Sequence, residues 1–265
     1  MGRFSQFPSH AEAAEALHKG DGGGIRVAVL DSGVDLAHPE LCGVRLVDDL
    51  AFDEAGGRRF SGRGTDAHGH GTAMAALVLR AAPRAQVGSF RVLGADGGAG
   101  PRAVRDAAVE AVSRDYNILL CAFGSVAVPE SMPLFKEWVD GAYARGVHVV
   151  CPCNNLFFRV PEWPGAFPSV VTVNMAETAS GDLFFRQDPQ GGHLVEFAAR
   201  GVDIEVPWKD GGTAVKTGSS FAAAHAAGML AKLLSVFPAM KPPVAKSLLQ
   251  EIAELWHDRL AVRNA

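Results

Sequence analysis

Short, nearly continuous apolar blocks alternate along this chain with longer stretches in which apolar residues return every three or four positions. The blocks IRVAVL (25–30), 86–93, NILLCAF (117–123), VHVVCPC (147–153) and SVVTVN (169–174) have the length and composition of buried strands. The stretches 72–80, 101–114 and 132–145 between them carry the helical period. This alternation predicts one doubly wound α/β domain over residues 1–265, with a mostly parallel sheet flanked by helices. Around that core, residues 9–20 read as a short helix capped by Ser9 and stopped at Gly20, and GDGGG (20–24) as a turn. Residues 44–60 read as a strand and an irregular loop ending in the exposed segment RRFSGRG, 193–207 as further β structure, and 242–256 as a final amphipathic helix.

The stretch TGSSFAAAHAAGMLAKLLSVF (217–237) stands apart. A run of alanine is a strong helix former of almost no girth, so this helix can pass through the middle of a domain with strands packed closely on it. Its first turn carries Ser220, where unpaired backbone N–H groups and the positive end of the helix dipole favour an anion. From the stretch alone Ser220 is either an N-cap or a nucleophile whose reaction develops a negative oxygen.

Composition narrows the classes. Hydrophobic content of 48%, charged content of 20% and 30 glycines describe a globular protein with a large core and many tight turns. A formal charge of −4 gives no electrostatic case for a nucleic-acid partner. Residues 1–24 lack the apolar segment of a secretory signal, and no apolar run is long enough to span a bilayer. With no such signal, four cysteines point to reduced thiols and a cytoplasmic location. Cys151 and Cys153, on either side of Pro152, read as small core residues.

Two further segments carry candidate chemistry. Asp31-Ser32-Gly33 ends the first buried strand, at the carboxyl edge where open α/β sheets place their sites; a turn-forming Asx cap is the plainer reading. Asp66-Ala67-His68-Gly69-His70-Gly71-Thr72 runs into a helix. Its D-x-H-x-H pattern lacks the further ligands that known zinc spacings require, and the glycines around His70 suggest an imidazole approached closely by other backbone.

Taken in chain order, VAVLDSGVDLAHPEL around Asp31, DAHGHGTAMAAL around His70 and GSSFAAAHAAG around Ser220 resemble the motifs of the subtilisin-like serine proteases, the subtilases. The resemblance runs from about Ser9 to the last helix. It implies the subtilisin-like α/β fold with a central helix carrying the nucleophile, and a serine endopeptidase in which Asp31 orients His70 and His70 activates Ser220. GVHVVCPCNN resembles the family segment that supplies the side-chain oxyanion donor, which implies Asn155 in that role, with Asn154 where the family usually has glycine. The substrate is then a peptide or protein bound as an extended strand between Gly97-Gly98-Ala99-Gly100 and Ala122-Phe123-Gly124-Ser125. The stretch from Trp163 to Ser169 fixes a register that puts Glu162 at the bottom of the pocket for the side chain before the cut. A carboxylate there implies a preference for Arg or Lys, the alternative being that Glu162 points to solvent or pairs with nearby Arg159.

Departures from the family pattern are Ala224 for a common proline, Phe221 for a common methionine, and the lack of a calcium-binding insertion after the His70 helix. No folding propeptide is expected either, because residues 5–30 align with the mature start. These features imply an intracellular enzyme without metal or other cofactor, of the kind that processes a leader or precursor peptide, with neither membrane nor nucleic-acid partner. An inert peptide-binding module of the same fold is the alternative. Peptide cyclisation is disfavoured, since no large insertion near His70 is present to exclude water.

Overall fold

The computed structural model of the chain describes residues 7–53, 58–60, 64–94, 97–126, 128–157, 160–178, 184–187 and 195–256. In chain order the elements are α1 (His10–Lys19), β1 (Arg26–Asp31), β2 (Asp49–Phe52), β3 (Arg58–Phe60), α2 (His70–Ala81), β4 (Gln86–Arg91) and α3 (Pro101–Ser113). There follow β5 (Ile118–Cys121), β6 (Ser125–Val126), α4 (Met132–Arg145), β7 (His148–Pro152), β8 (Glu162–Trp163), β9 (Val171–Ala176) and β10 (Phe184–Gln187). The chain ends with β11 (Phe197–Arg200), β12 (Ile204–Pro207), β13 (Thr213–Lys216), α5 (Ser219–Val236), α6 (Pro242–Ile252) and β14 (Glu254–Trp256).

Ten strands form one sheet in the order β14-β10-β11-β9-β7-β5-β1-β4-β2-β3. The stretch from β2 to β11 is parallel throughout, as expected for strands joined by helical crossovers. Strand side chains alternate between two cores. Val27 and Val29 of β1, with Ile118 and Leu120 of β5, face α1, α2, α5 and α6. Ala28 and Leu30, with Leu119 and Cys121, face α3 and α4. Burial on both faces is why these strands read as unbroken apolar runs.

The alanine-rich α5 is buried from Ser219 to Ala231 and packs against α2 at backbone range. A side chain at Gly228 would come within 2.6 Å of the Ala81 Cβ and 3.1 Å of the Val78 carbonyl oxygen. Helix α1 carries the expected cap. Ser9 accepts from the Glu12 N–H, and the Glu12 carboxylate accepts from the Ser9 N–H at 2.7 Å.

Several elements depart from the sequence expectations. Arg58–Phe60, read as exposed loop, forms β3 and pairs antiparallel with β2; residues 61–63 of that segment lie outside the described residues. The last helix ends at Ile252 rather than 256, and the chain turns extended to add β14 beside β10. Neither β10 nor the two-residue pair β6–β8 was anticipated. These are short pairings, local between β2 and β3 and remote in sequence for β14 and β6–β8, too short for a local periodicity to announce them. Cys151 and Cys153 are both buried; Cys151 packs with Cys121, and burial pushes its thiol well above the usual range.

Candidate active site

The carboxyl ends of the central strands and the amino ends of α2 and α5 converge on one edge of the sheet. Strand β1 delivers Asp31, fully buried, into a cradle of local donors. The Ser32 N–H donates to Asp31 Oδ1 at 2.7 Å, and the Ser32 hydroxyl lies 3.1 Å from the same oxygen. That hydroxyl also accepts from the Gly71 N–H at 3.0 Å, tying the start of α2 to the end of β1.

Asp66 builds the first turn of α2. Its Oδ1 accepts from the N–H groups of His68 and Gly69, and its Oδ2 from the N–H and hydroxyl of Thr72. The N-cap position itself, Gly69, has no side chain to offer, so this carboxylate takes up donors that would otherwise go unpaired. It also starts the helix two residues before the expected Thr72. Gly71 allows the approach: a side chain there would run into the Gly33 carbonyl oxygen and reach 3.1 Å from the Asp31 Cβ.

The result is a hydrogen-bonded chain across three elements. His70 Nδ1 lies 3.0 and 2.9 Å from the two Asp31 oxygens, and His70 Nε2 lies 2.9 Å from Ser220 Oγ. Ser220 sits in the first turn of α5 and is nearly buried. Burial works against the imidazolium of His70. The charge and hydrogen bond of Asp31 outweigh it with help from Asp66, so the pKa stands above its ordinary 6.5 although Lys216 opposes.

The adjacent asparagines have different surroundings. Asn154 spends its whole amide locally: Oδ1 accepts from the N–H groups of Leu156 and Phe157, and Nδ2 donates to Glu162 Oε1 at 2.8 Å. Asn155 Oδ1 accepts from the Ser219 N–H at 2.7 Å and lies 2.8 Å from the Ser219 hydroxyl. A backbone donor on one end fixes the orientation of the amide and leaves Nδ2 as its donor end.

These three motifs, in the order Asp, His, Ser and in hydrogen-bond contact, lie inside residues 22–263, which match the model of the subtilase family. The chain belongs to the subtilase family. It is a subtilisin-like serine endopeptidase by that membership. It is 29% identical over 253 residues to a subtilisin of Bacillus sp. (strain TA39), covering 82% of this chain and 58% of that protein. It is 30% identical over 242 residues to the major intracellular serine protease of Bacillus subtilis (strain 168), covering 84% and 73%. Among solved structures, Sphericase superposes with a TM-score of 0.73 at 25% identity, and the S41 psychrophilic protease with 0.70 at 28%. Each of these two covers 87% of this chain and 83% of the other.

In this subtilase the segments expected to flank a substrate lie on the same edge. Ladder pairing of β5 stops at Cys121, and the chain pairs again at Ser125 with Trp163 of β8, leaving Ala122, Phe123 and Gly124 between the two. Gly97 turns the other segment, its N–H donating to the Gly94 carbonyl at 3.0 Å, and Gly98 leads to Gly100, the N-cap of α3. A cavity of about 460 Å³ opens beside Gly98 and Gly100, lined also by Phe52, Arg91 and Leu93. Glu162, from β8, lies directly beneath Gly124, where any side chain would meet its carboxylate. The suggested pairing partner Arg159 lies outside the described residues.

Sequence reasoning passed over four residues of this site. Asp66, part of the D-x-H-x-H pattern, is a helix cap. Ser219, Trp208 and Lys216 were not singled out. Trp208 stands 6.4 Å from His70 and 5.9 Å from His68, centroid to centroid, and Lys216 Nζ lies 4.1 Å from the centre of the Trp208 ring. The doublet Ser219-Ser220 was a usable signal, whereas nothing local marks the other two.

Proposed function

We propose that this subtilase cleaves peptide bonds through an acyl-enzyme on Ser220. Ser220 Oγ attacks the scissile carbonyl carbon while His70 Nε2 takes its proton. The tetrahedral intermediate collapses as His70 returns that proton to the departing amine, and water then releases the acyl group by the same route. Asp31 holds the imidazole in the tautomer with a proton on Nδ1 and offsets the charge that His70 gains. Asn155 Nδ2 and the Ser220 N–H, at the positive end of α5, are the donors for the developing oxyanion. The observation that carries this reading is the unbroken contact Asp31–His70–Ser220, with both histidine nitrogens engaged at 2.9 Å.

The peptide lies as an added strand between Gly97–Gly100 and Ala122–Ser125, with its residue before the cut directed at Glu162. Asn154 takes one carboxylate oxygen and leaves the other to a guanidinium or ammonium, which supports a preference for Arg or Lys. Residues 1–265 form one peptidase domain in this reading. Its place is the cytoplasm, where it trims a leader or precursor peptide. The resemblance to a protease named as intracellular supports that setting, and no described helix is long and apolar enough to cross a membrane.

The test is a fluorophosphonate probe combined with a peptide series bearing Arg, Lys, Phe, Leu or Glu before the cut. One equivalent of label on Ser220, its loss with turnover in Ser220→Ala, and faster cleavage after Arg and Lys are the expected outcomes. Labelling of Ser219, or no labelling of the folded protein, would overturn the mechanism. An inert peptide-binding module would bind the same peptides without label or product.

A further inference from the structure

The acid step fixes which side of the site faces the departing half of the substrate. His70 Nε2 must reach the leaving nitrogen, so the residue after the cut passes over the His70 flank remote from Glu162. Three aromatic groups are gathered about His70, with His68 also beside Gly97. The Phe221 ring is 5.6 Å from His70, Trp208 is 6.4 Å from it, and His68 is 5.9 Å from Trp208, all edge to face. A cation stands on this wall: Lys216, with Nζ 4.1 Å from the centre of the Trp208 ring and close enough to His70 to oppose its protonation.

The wall is held in place. β12 and β13 form a separate two-stranded hairpin, and the Trp208 N–H donates across its turn to the Gly212 carbonyl at 2.8 Å. The turn seats on α2 at Gly69, where a Cβ would stand 2.6 Å from the Lys209 nitrogen. Lys216 and Ala214 form the half-buried side of β13, while Thr213 and Val215 are exposed. The ammonium is therefore steadied on an indole by a cation–π contact rather than left to roam.

Among the described residues no carboxylate comes within ion-pair distance of Lys216. The nearby acids are committed elsewhere. Asp31 is buried on His70, Asp66 accepts four donors at the start of α2, and Asp203 accepts from the Thr217 hydroxyl. A positioned, half-buried cation with no counterion among the described residues, beside the bond to be cut, is suited to a substrate carboxylate.

We propose that Lys216, steadied on Trp208, selects substrates with Asp or Glu immediately after the scissile bond. The inference rests on the peptidase reading above and adds its second half: together with Glu162 it describes cleavage at a junction between a basic and an acidic residue. The charges of such a junction mirror those of the site, with Glu162 meeting the base and Lys216 the acid.

The experiment is a set of peptides with amidated C termini, identical except for Asp, Glu, Gln, Ala, Phe or Lys after the cut. They are compared by kcat/KM within each of wild type, Lys216→Ala, Lys216→Glu and Lys216→Arg. Wild type is expected to favour Asp and Glu over Gln by about fivefold and over Lys by about tenfold, as for a partly desolvated ion pair. Lys216→Arg should keep the order, Lys216→Ala should bring the acidic and neutral peptides within about twofold, and Lys216→Glu should reverse it in favour of Lys. Molar salt should erode the wild-type preference by screening. Cleavage with no dependence on this position, a preference for Phe, or an acidic preference that survives in Lys216→Ala would overturn the inference and leave the peptidase reading intact. Failure to cleave any peptide would overturn the peptidase reading, and the inference with it.

Discussion

The two faces of the sheet are packed in different ways. Toward α3 and α4 the core holds large rings: Phe52 stacks near Phe90, Phe90 meets Tyr116 edge to face at 5.1 Å, and Phe135 lies against Trp138. Toward α2 and α5 alanine dominates at the helix contacts, from Ala73, Ala75 and Ala76 to the run Ala222-Ala223-Ala224. Large rings fill volume and bury apolar area, so that face supplies stability. Small residues bring backbones together, so the other face sets positions to a fraction of an ångström, which is what a proton relay between three elements requires.

This contrast can be tested from both sides. On the small-residue face, Gly71→Ala should give the largest effect. The new methyl meets the Gly33 carbonyl and must push the start of α2, with His70, away from Asp31. A displacement of that kind is expected to lower kcat by about 10²-fold or more, read by steady-state kinetics on protein whose folding is checked by circular dichroism. Wild-type turnover in this variant would show that the close approach is incidental.

On the ring face, Phe135→Ala should cost about 3–5 kcal/mol of stability through the lost transfer energy and the cavity left behind. Denaturant titration reads that loss, while kcat/KM of the folded protein should stay within about twofold, since Phe135 touches nothing at the site. A large catalytic defect there would show that the two faces are coupled.

The smallest expected effect concerns a buried histidine on the α5 side. His148, at the amino end of β7, lies 3.1 Å from the Met240 carbonyl, and burial lowers its pKa from 6.5 to about 4. The unfolded chain then binds a proton that the folded chain refuses, so stability is full above pH 6.5 and falls as pH drops toward 4. By linkage the loss between pH 7.5 and pH 5 is about 2 kcal/mol, and His148→Gln, which retains a donor, should remove that part of the slope. Equal pH dependence of wild type and variant would show that His148 ionises freely.

The difference between the faces also marks how far the sequence could be read. The strands of the parallel core announce themselves because burial on both sides makes IRVAVL or VHVVCPC apolar throughout. The proposed triad is legible because each member sits in a local pattern, a strand end before glycine or a helix start after it. The rest depends on partners far along the chain. Asn154 and Asn155 look interchangeable until Glu162 claims one and Ser219 the other. Lys216 is an ordinary strand lysine until the hairpin sets it over Trp208. The helix expected over 242–256 stops at Ile252 because the chain beyond it is recruited by β10, an edge that no local pattern advertises.

The single amide of Asn154 has a consequence for how such an enzyme can change. It fastens Glu162 and also caps the turn that begins at Leu156, one peptide unit from Asn155. Replacing the acid at 162 to accept a different side chain releases that amide and slackens the turn from which Asn155 reaches Ser219. Under the roles proposed for Glu162 and Asn155, substrate choice and reaction rate are yoked by one hydrogen bond. A lineage retuning the first must find a new partner for Asn154, or lose part of the second on the way.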